Sequence, residues 1–151
     1  MVSVKEALDE EEWDYIVTQQ ASHDSGWRDT YEPFLHQIIQ YLKKEKPQAE
    51  ILLHETWAYE VDSTHECFER YHCDQMQMYE RLRTAYQKAA KEHQPRMIPC
   101  GDVIRKLRST KPFDYQYMED MHWRQHGIHI FLTKASGKIR MCQPQNLCRV
   151  K

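Results

Sequence analysis

Three short runs of β-forming residues, separated by stretches of helical periodicity, constrain this chain more than any other feature. Tyr15, Ile16 and Val17 lie in the first run, residues 14–18; Ile51, Leu52 and Leu53 in the second, 50–56; the third spans 96–99. Between the first two, Phe34, Leu35, Ile38, Ile39 and Leu42 form one apolar stripe of a helix, with Thr30 placed to cap it, Pro33 in its first turn and Pro47 to end it. A longer helix is expected over 67–92, with Met78, Leu82, Ala85 and Ala89 on one face and Tyr79 and Tyr86 beside it. Residues 5–12 read as the end of a helix entering the first strand, and Gly101 opens another that runs through 107. Strand and helix alternating in this way predict a parallel sheet with right-handed crossovers.

The C-terminal part has weaker patterning. Gly127, Ile128, His129 and Ile130 form a small apolar element, residues 111–125 read as irregular, and 134–142 as a short helix. The last residues, 143–151, have no periodicity and are expected to fray. With 151 residues and 40% hydrophobic content, the chain is expected to form one domain over 1–151.

The charge balance narrows the partners. Twenty-one basic and 23 acidic residues, well mixed, give a formal charge of −2, so no footprint for a phosphate backbone appears and nucleic acid is not expected. No stretch approaches the roughly 18 apolar residues of a membrane span, and the acidic start has no apolar targeting region, which predicts a cytoplasmic chain as written. Five cysteines at irregular spacing suit a reducing compartment rather than a disulfide framework.

Polar residues gather where the first strand ends, in Gln19, Gln20, Ala21, Ser22, His23 and Asp24. In α/β proteins, chemistry is commonly placed at the carboxyl ends of strands. Amides and hydroxyls there can donate to a developing oxyanion, although the plainer alternative is that they satisfy loop backbone groups. His122, His126 and His129 offer a general base; their spacing matches no strong zinc pattern, so a base ranks above a metal site, and plain solvated histidines rank above either on spacing alone. A group at His65, Cys67, His72 and Cys73 superficially resembles a metal cluster, but on a helix Cys67 would point away from the others. Cys100 opens a strand-to-helix turn, where a thiolate would gain from the helix N-terminus; Trp57 and Tyr59 can line a sugar or acyl wall or cap the sheet.

Taken in order, WDYIVTQQASHDSG, the TYEPFL helix start, PQAEILLHETWAY, FERYHCDQMQMYERLRTAYQKAA and RMIPCGDVIRKLR resemble a poorly characterised branch of the SGNH (GDSL-like) hydrolases over residues 1 to about 110. The resemblance implies a flavodoxin-like three-layer α/β/α fold with a parallel sheet, and hydrolysis of acyl esters, often O-acetyl groups on carbohydrates. No cofactor or metal is implied; the implied partner is a small-molecule or carbohydrate ester. The family's GxND block falls on Ala21, Ser22, His23 and Asp24, with His23 in place of the asparagine, so Gln19 or Gln20 is expected to serve as donor beside Ser22. The late DxxH block falls on His126, Gly127, Ile128 and His129, which keeps the base, His129, and replaces its aspartate; Glu119 with His122 is a second, less favoured match.

The family's GDS or GNS serine block is not found in these residues; Gly101-Asp102-Val103 has valine where serine is required. The expectation is therefore an incomplete domain without its first strands, inactive alone, with the edge of the first strand exposed and prone to aggregate. A signal peptide preceding residue 1 would make the parent protein secreted. Two rival readings stand beside the esterase: a catalytically dead glycan-binding module using Trp57 and Tyr59, and a metal protein using the C-terminal histidines.

Overall fold

The computed structural model describes residues 3–110, 129–134 and 139–142. Helix α1 (Val4–Asp9) starts with a capping box, in which Ser3 Oγ accepts from the Glu6 backbone and the Glu6 carboxylate accepts from the Ser3 N–H. Two donors that a helix start leaves unpaired are thereby satisfied. Val4, Ala7 and Leu8 form its buried stripe, and the Trp13 indole donates to the Ala7 carbonyl at 2.9 Å, tying α1 to the approach of β1 (Tyr15–Gln19).

Helix α2 (Phe34–Glu45) buries Leu35, Ile38, Ile39 and Leu42 of the predicted stripe but leaves Phe34, at its first position, exposed; each buried side chain contributes about 1.5–3 kcal/mol when fully removed from water. Strand β2 (Glu50–His54), helix α3 (Gln75–His93), strand β3 (Arg96–Ile98) and helix α4 (Cys100–Arg108) follow. The parallel unit is β1, β2 and β3, an open three-stranded sheet flanked by helices in an incomplete flavodoxin-like α/β arrangement. Ile16, Ile51 and Leu53 share one core with α1, α2 and α3, whereas Tyr15, Val17 and Gln19 alternate onto a half-buried face of β1.

The sheet continues beyond β1 with β4 (His129–Thr133) and β5 (Ile139–Cys142), both antiparallel to their neighbours, giving the order β3-β2-β1-β4-β5. This corrects two expectations. The β1 edge is not open: β4 hydrogen-bonds along it from Tyr15↔Thr133 to Gln19↔His129. Residues 139–142 form a strand rather than part of a helix, because pairing with β4 satisfies their backbone groups across the ladder.

Two helix starts also differ from expectation. Residues 67–92 are not one helix: a 3₁₀ turn (Glu66–Tyr71) ends in left-handed residues His72 and Cys73 at φ 55° and 52°. Helix α3 then starts afresh because the Asp74 carboxylate accepts from the Met76 and Gln77 backbones. Thr30 does not cap α2. Its hydroxyl donates instead toward the Trp27 and Asp24 carbonyls, and a 3₁₀ turn (Arg28–Tyr31) with a cis Glu32–Pro33 bond precedes the helix. The expectations for 111–125 and 143–151, and those for Glu119, His122, His126, Gly127 and Ile128, lie outside the described residues.

Candidate functional site

The carboxyl ends of β1, β2 and β3 bring together the loop after Gln19, the segment Glu55 to Tyr59 and the start of α4. The first loop is braced from below by three tyrosine hydroxyls. Tyr86 accepts the Gln20 N–H at 3.1 Å, Tyr71 donates to the His23 carbonyl at 2.9 Å while accepting the Gly26 N–H at 3.1 Å, and Tyr31 donates to the Ser25 carbonyl at 2.7 Å. All three rings are buried, and burial raises their hydroxyl pKa values, Tyr86 to about 12, so they stay protonated donors and acceptors across the neutral range. Gly26 leaves room for this bracing, since a Cβ there would lie 2.7 Å from the Tyr71 ring.

Within this loop the residues singled out by sequence take different positions. Gln20 is buried and committed: its amide nitrogen donates to the Thr30 carbonyl and hydroxyl, each at 3.1 Å, and its oxygen accepts the Ala21 N–H at 2.8 Å. Gln19 ends β1, half-buried, directly opposite His129 in the β1–β4 register. Ser22 is buried in a 3₁₀ turn and its carbonyl accepts from both the Ser25 backbone and hydroxyl. The His23 Nε2 lies 3.3 Å from an Asp24 carboxylate oxygen, and Arg70 holds the other oxygen at 2.7 Å. His23 also faces His65 at 6.4 Å between ring centres, and His65 stacks on Tyr59 at 4.8 Å.

The second strand end is organised around Glu55, which sequence reasoning passed over. Its side chain is fully buried; one carboxylate oxygen accepts the Asp102 N–H at 3.0 Å at the first turn of α4, and the other is buried without a protein partner. Burial raises its pKa to about 7, against the pull of the Asp102 and Gly101 backbone donors. Gly101 permits the approach, because a Cβ would lie 2.3 Å from the Thr56 carbonyl oxygen. The available signal was an acid placed directly after an apolar strand, in LLHETW.

Trp57 is half-buried beside His54, with ring centres 6.4 Å apart and its indole N–H lacking a protein partner. Tyr59 is buried, and its ring packs on Phe68 as well as His65, so its ring belongs chiefly to the core. At Cys100, burial and the neighbouring Glu55 raise the thiol pKa, opposite to what an activated thiolate requires. His65, Cys67, His72 and Cys73 do not come together as a metal cluster; among the described residues it is Glu32, Glu92 and His93 that bring their ligand atoms within 4.8 Å of one another. There, however, Arg28 pairs with both carboxylates and His93 lies 2.5 Å from Glu32, an ion-pair network that already satisfies the charges. Among the described residues no helix is long and apolar enough to cross a membrane.

Residues 1–135 match the model of a domain of unknown function, DUF4886. The chain is also similar to a crystal structure of a DUF4886 family protein from Bacteroides uniformis ATCC 8492, at 34% identity and a TM-score of 0.69. The match covers 74% of this chain and 44% of that one, so the chain spans less than half the relative's length. No curated protein matches it.

Proposed function

From a chain that belongs to the DUF4886 family, we propose one wall of an SGNH-like carboxylic ester hydrolase site, acting on a small or carbohydrate ester. The observation that carries this reading is the strand register that sets His129 opposite Gln19, at the mouth of the tyrosine-braced loop. In the proposed division of labour His129 is the general base, and Gln19, Ser22 and His23 form the oxyanion side. Gln20 holds the loop's shape, because its amide hydrogens are already given to Thr30. Preorganised donors stabilise developing charge only where the backbone does not yield, which is the value of the bracing.

The nucleophile is not assigned to any serine of these 151 residues, since no GDS or GNS block occurs among them. The Bacteroides uniformis relative is expected to hydrolyse acetyl esters and to be labelled stoichiometrically by a fluorophosphonate, while the 151-residue chain is not labelled. Failure of the relative on both counts overturns the ester reading; a labelled serine in this chain overturns the assignment of the nucleophile elsewhere. A second reading, glycan binding without turnover, draws on the half-buried Trp57 and its unpartnered indole N–H. Saturable binding of an acetylated oligosaccharide by a relative that shows no turnover would favour it.

A further inference from the structure

A groove of about 450 Å³ runs between Gly26 and one stripe of α3. Gln77, Arg81, Thr84, Ala85 and Lys88 recur at the three- and four-residue steps that put side chains on one face of a helix. Its volume falls within the roughly 300–1,000 Å³ of small-molecule sites. Three features of its lining point to the chemistry of an occupant.

The first is available positive charge. Arg81 lies over the Trp27 ring at 4.7 Å instead of against a carboxylate, and among the described residues neither it nor Lys88 has an ion-pair partner. Among the described residues of the lining, Glu80 is the one acid. Arg28 contributes little net charge, because Glu32 and Glu92 already hold its outer nitrogen. Two uncommitted cations against one acid select an anion.

The second and third features are a donor and an acceptor left over. Among the described residues the Arg28 Nε–H and the Gln77 side-chain oxygen are both buried without a partner, although buried polar atoms are nearly always satisfied. Sulfate can accept from Arg28 but, carrying no proton at neutral pH, cannot donate to Gln77. A hydroxyl can do either. We propose that this groove binds a polyhydroxylated anion, a sugar acid or a sugar phosphate, with its charge at Arg81 and Lys88 and its hydroxyls at Arg28 and Gln77. The proposal is independent of the ester reading, and loss of that reading leaves it standing.

Calorimetric titration of the 151-residue chain at neutral pH and low salt with glucuronate, glucose 6-phosphate, glucose and inorganic sulfate tests it. At least one of the two sugar anions is expected to bind tenfold or more tightly than both glucose and inorganic sulfate; which one separates carboxylate from phosphate recognition. R81Q/K88Q, two exposed changes checked for an unaltered melting temperature, should weaken that binding at least tenfold. Gln77→Leu should weaken the sugar anion several-fold and leave inorganic sulfate unchanged. Equal affinity for glucose, equal affinity for inorganic sulfate, no saturation with any of the four, or binding that survives R81Q/K88Q would each overturn the proposal.

Discussion

The loops that follow β1 and β2 leave the same end of the sheet but are held by opposite chemistries. After β1, buried hydroxyls of Tyr31, Tyr71 and Tyr86 meet backbone groups in the first loop, and each of these contacts is between neutral partners. After β2, a single buried carboxylate, Glu55, meets the first turn of α4, with one oxygen left unsatisfied. Neutral hydrogen bonds in a dry setting hold over a broad pH range, whereas a buried carboxylate is stable there chiefly when protonated. The difference teaches that rigidity at this end of the sheet has one pH-indifferent half and one pH-sensitive half.

The strongest way to break the first half is to remove a tyrosine altogether. Tyr86 is completely buried, its ring meets Tyr31 edge-on at 5.6 Å, and its hydroxyl takes the Gln20 N–H. Tyr86→Ala is expected to lower stability by about 3–5 kcal/mol, the range for truncating a large core aromatic, and Tyr86→Phe by about 1–3 kcal/mol, because the Gln20 donor is then buried without a partner. Urea unfolding of both variants checks the pair. A Tyr86→Phe variant as stable as the parent would show that the hydroxyl braces nothing.

The second half is broken by pH. Glu55 has a folded-state pKa of about 7 against 4.5 for the free side chain, so the folded chain binds the proton more tightly than the unfolded chain does. Its contribution is fully present below pH 4.5 and is lost as pH rises through 7, a loss of the order of 3 kcal/mol by linkage. Glu55→Gln should flatten that slope, measured as unfolding free energy from pH 5 to pH 8, while Tyr86→Phe should leave it intact. A parent chain without the slope would place the Glu55 carboxylate in water instead of the core.

Gly101→Ala sharpens the comparison from the other side. The added methyl meets the Thr56 carbonyl oxygen at 2.3 Å, backbone against backbone, so α4 must shift from the end of β2. A loss of about 1–3 kcal/mol is expected, as for other overpacked sites. The shift should also loosen the Glu55 contact with Asp102, a backbone donor that holds the carboxyl pKa down, so the variant's pH slope is expected to be steeper than the parent's, a coupling that the tyrosine-braced loop would not show.

How far all this was legible depended on whether its cause was local. The runs at Tyr15 to Val17 and Ile51 to Leu53, and the stripe from Leu35 to Leu42, declare themselves, because periodicity and β-propensity act over neighbouring residues. The left-handed pair His72 and Cys73 does not, since the helical spacing of the surrounding side chains continues on paper across a break that only the backbone shows. The strand at 139–142 exists through its pairing with β4, and a four-residue segment shows no clear period of its own. At the candidate site, the strand-end cluster from Gln19 to Asp24 was visible as composition. That Gln20 is spent on Thr30, and that Glu55 is buried against α4, depend on partners far away in sequence or folded back across a loop.

The smallest effect concerns the rim between the two halves, where Arg70 meets Asp24 at 2.7 Å and lies over the Trp27 ring at 4.9 Å. The Arg70 side chain is exposed at 41% and Asp24 partly so at 25%, so the ion pair should contribute less than about 1 kcal/mol and fade with added salt. Arg70→Gln removes charge and stacking together, whereas Arg70→Lys keeps the charge and loses the planar guanidinium over the indole. If the ion pair is what holds Asp24 against His23, Arg70→Lys should unfold like the parent at low salt, and the His23 ring protons should keep their chemical shifts. If the stacking matters more, the two variants should be equally destabilised and neither deficit should respond to salt. The rim would then belong to the same salt-indifferent class as the tyrosine bracing beneath it.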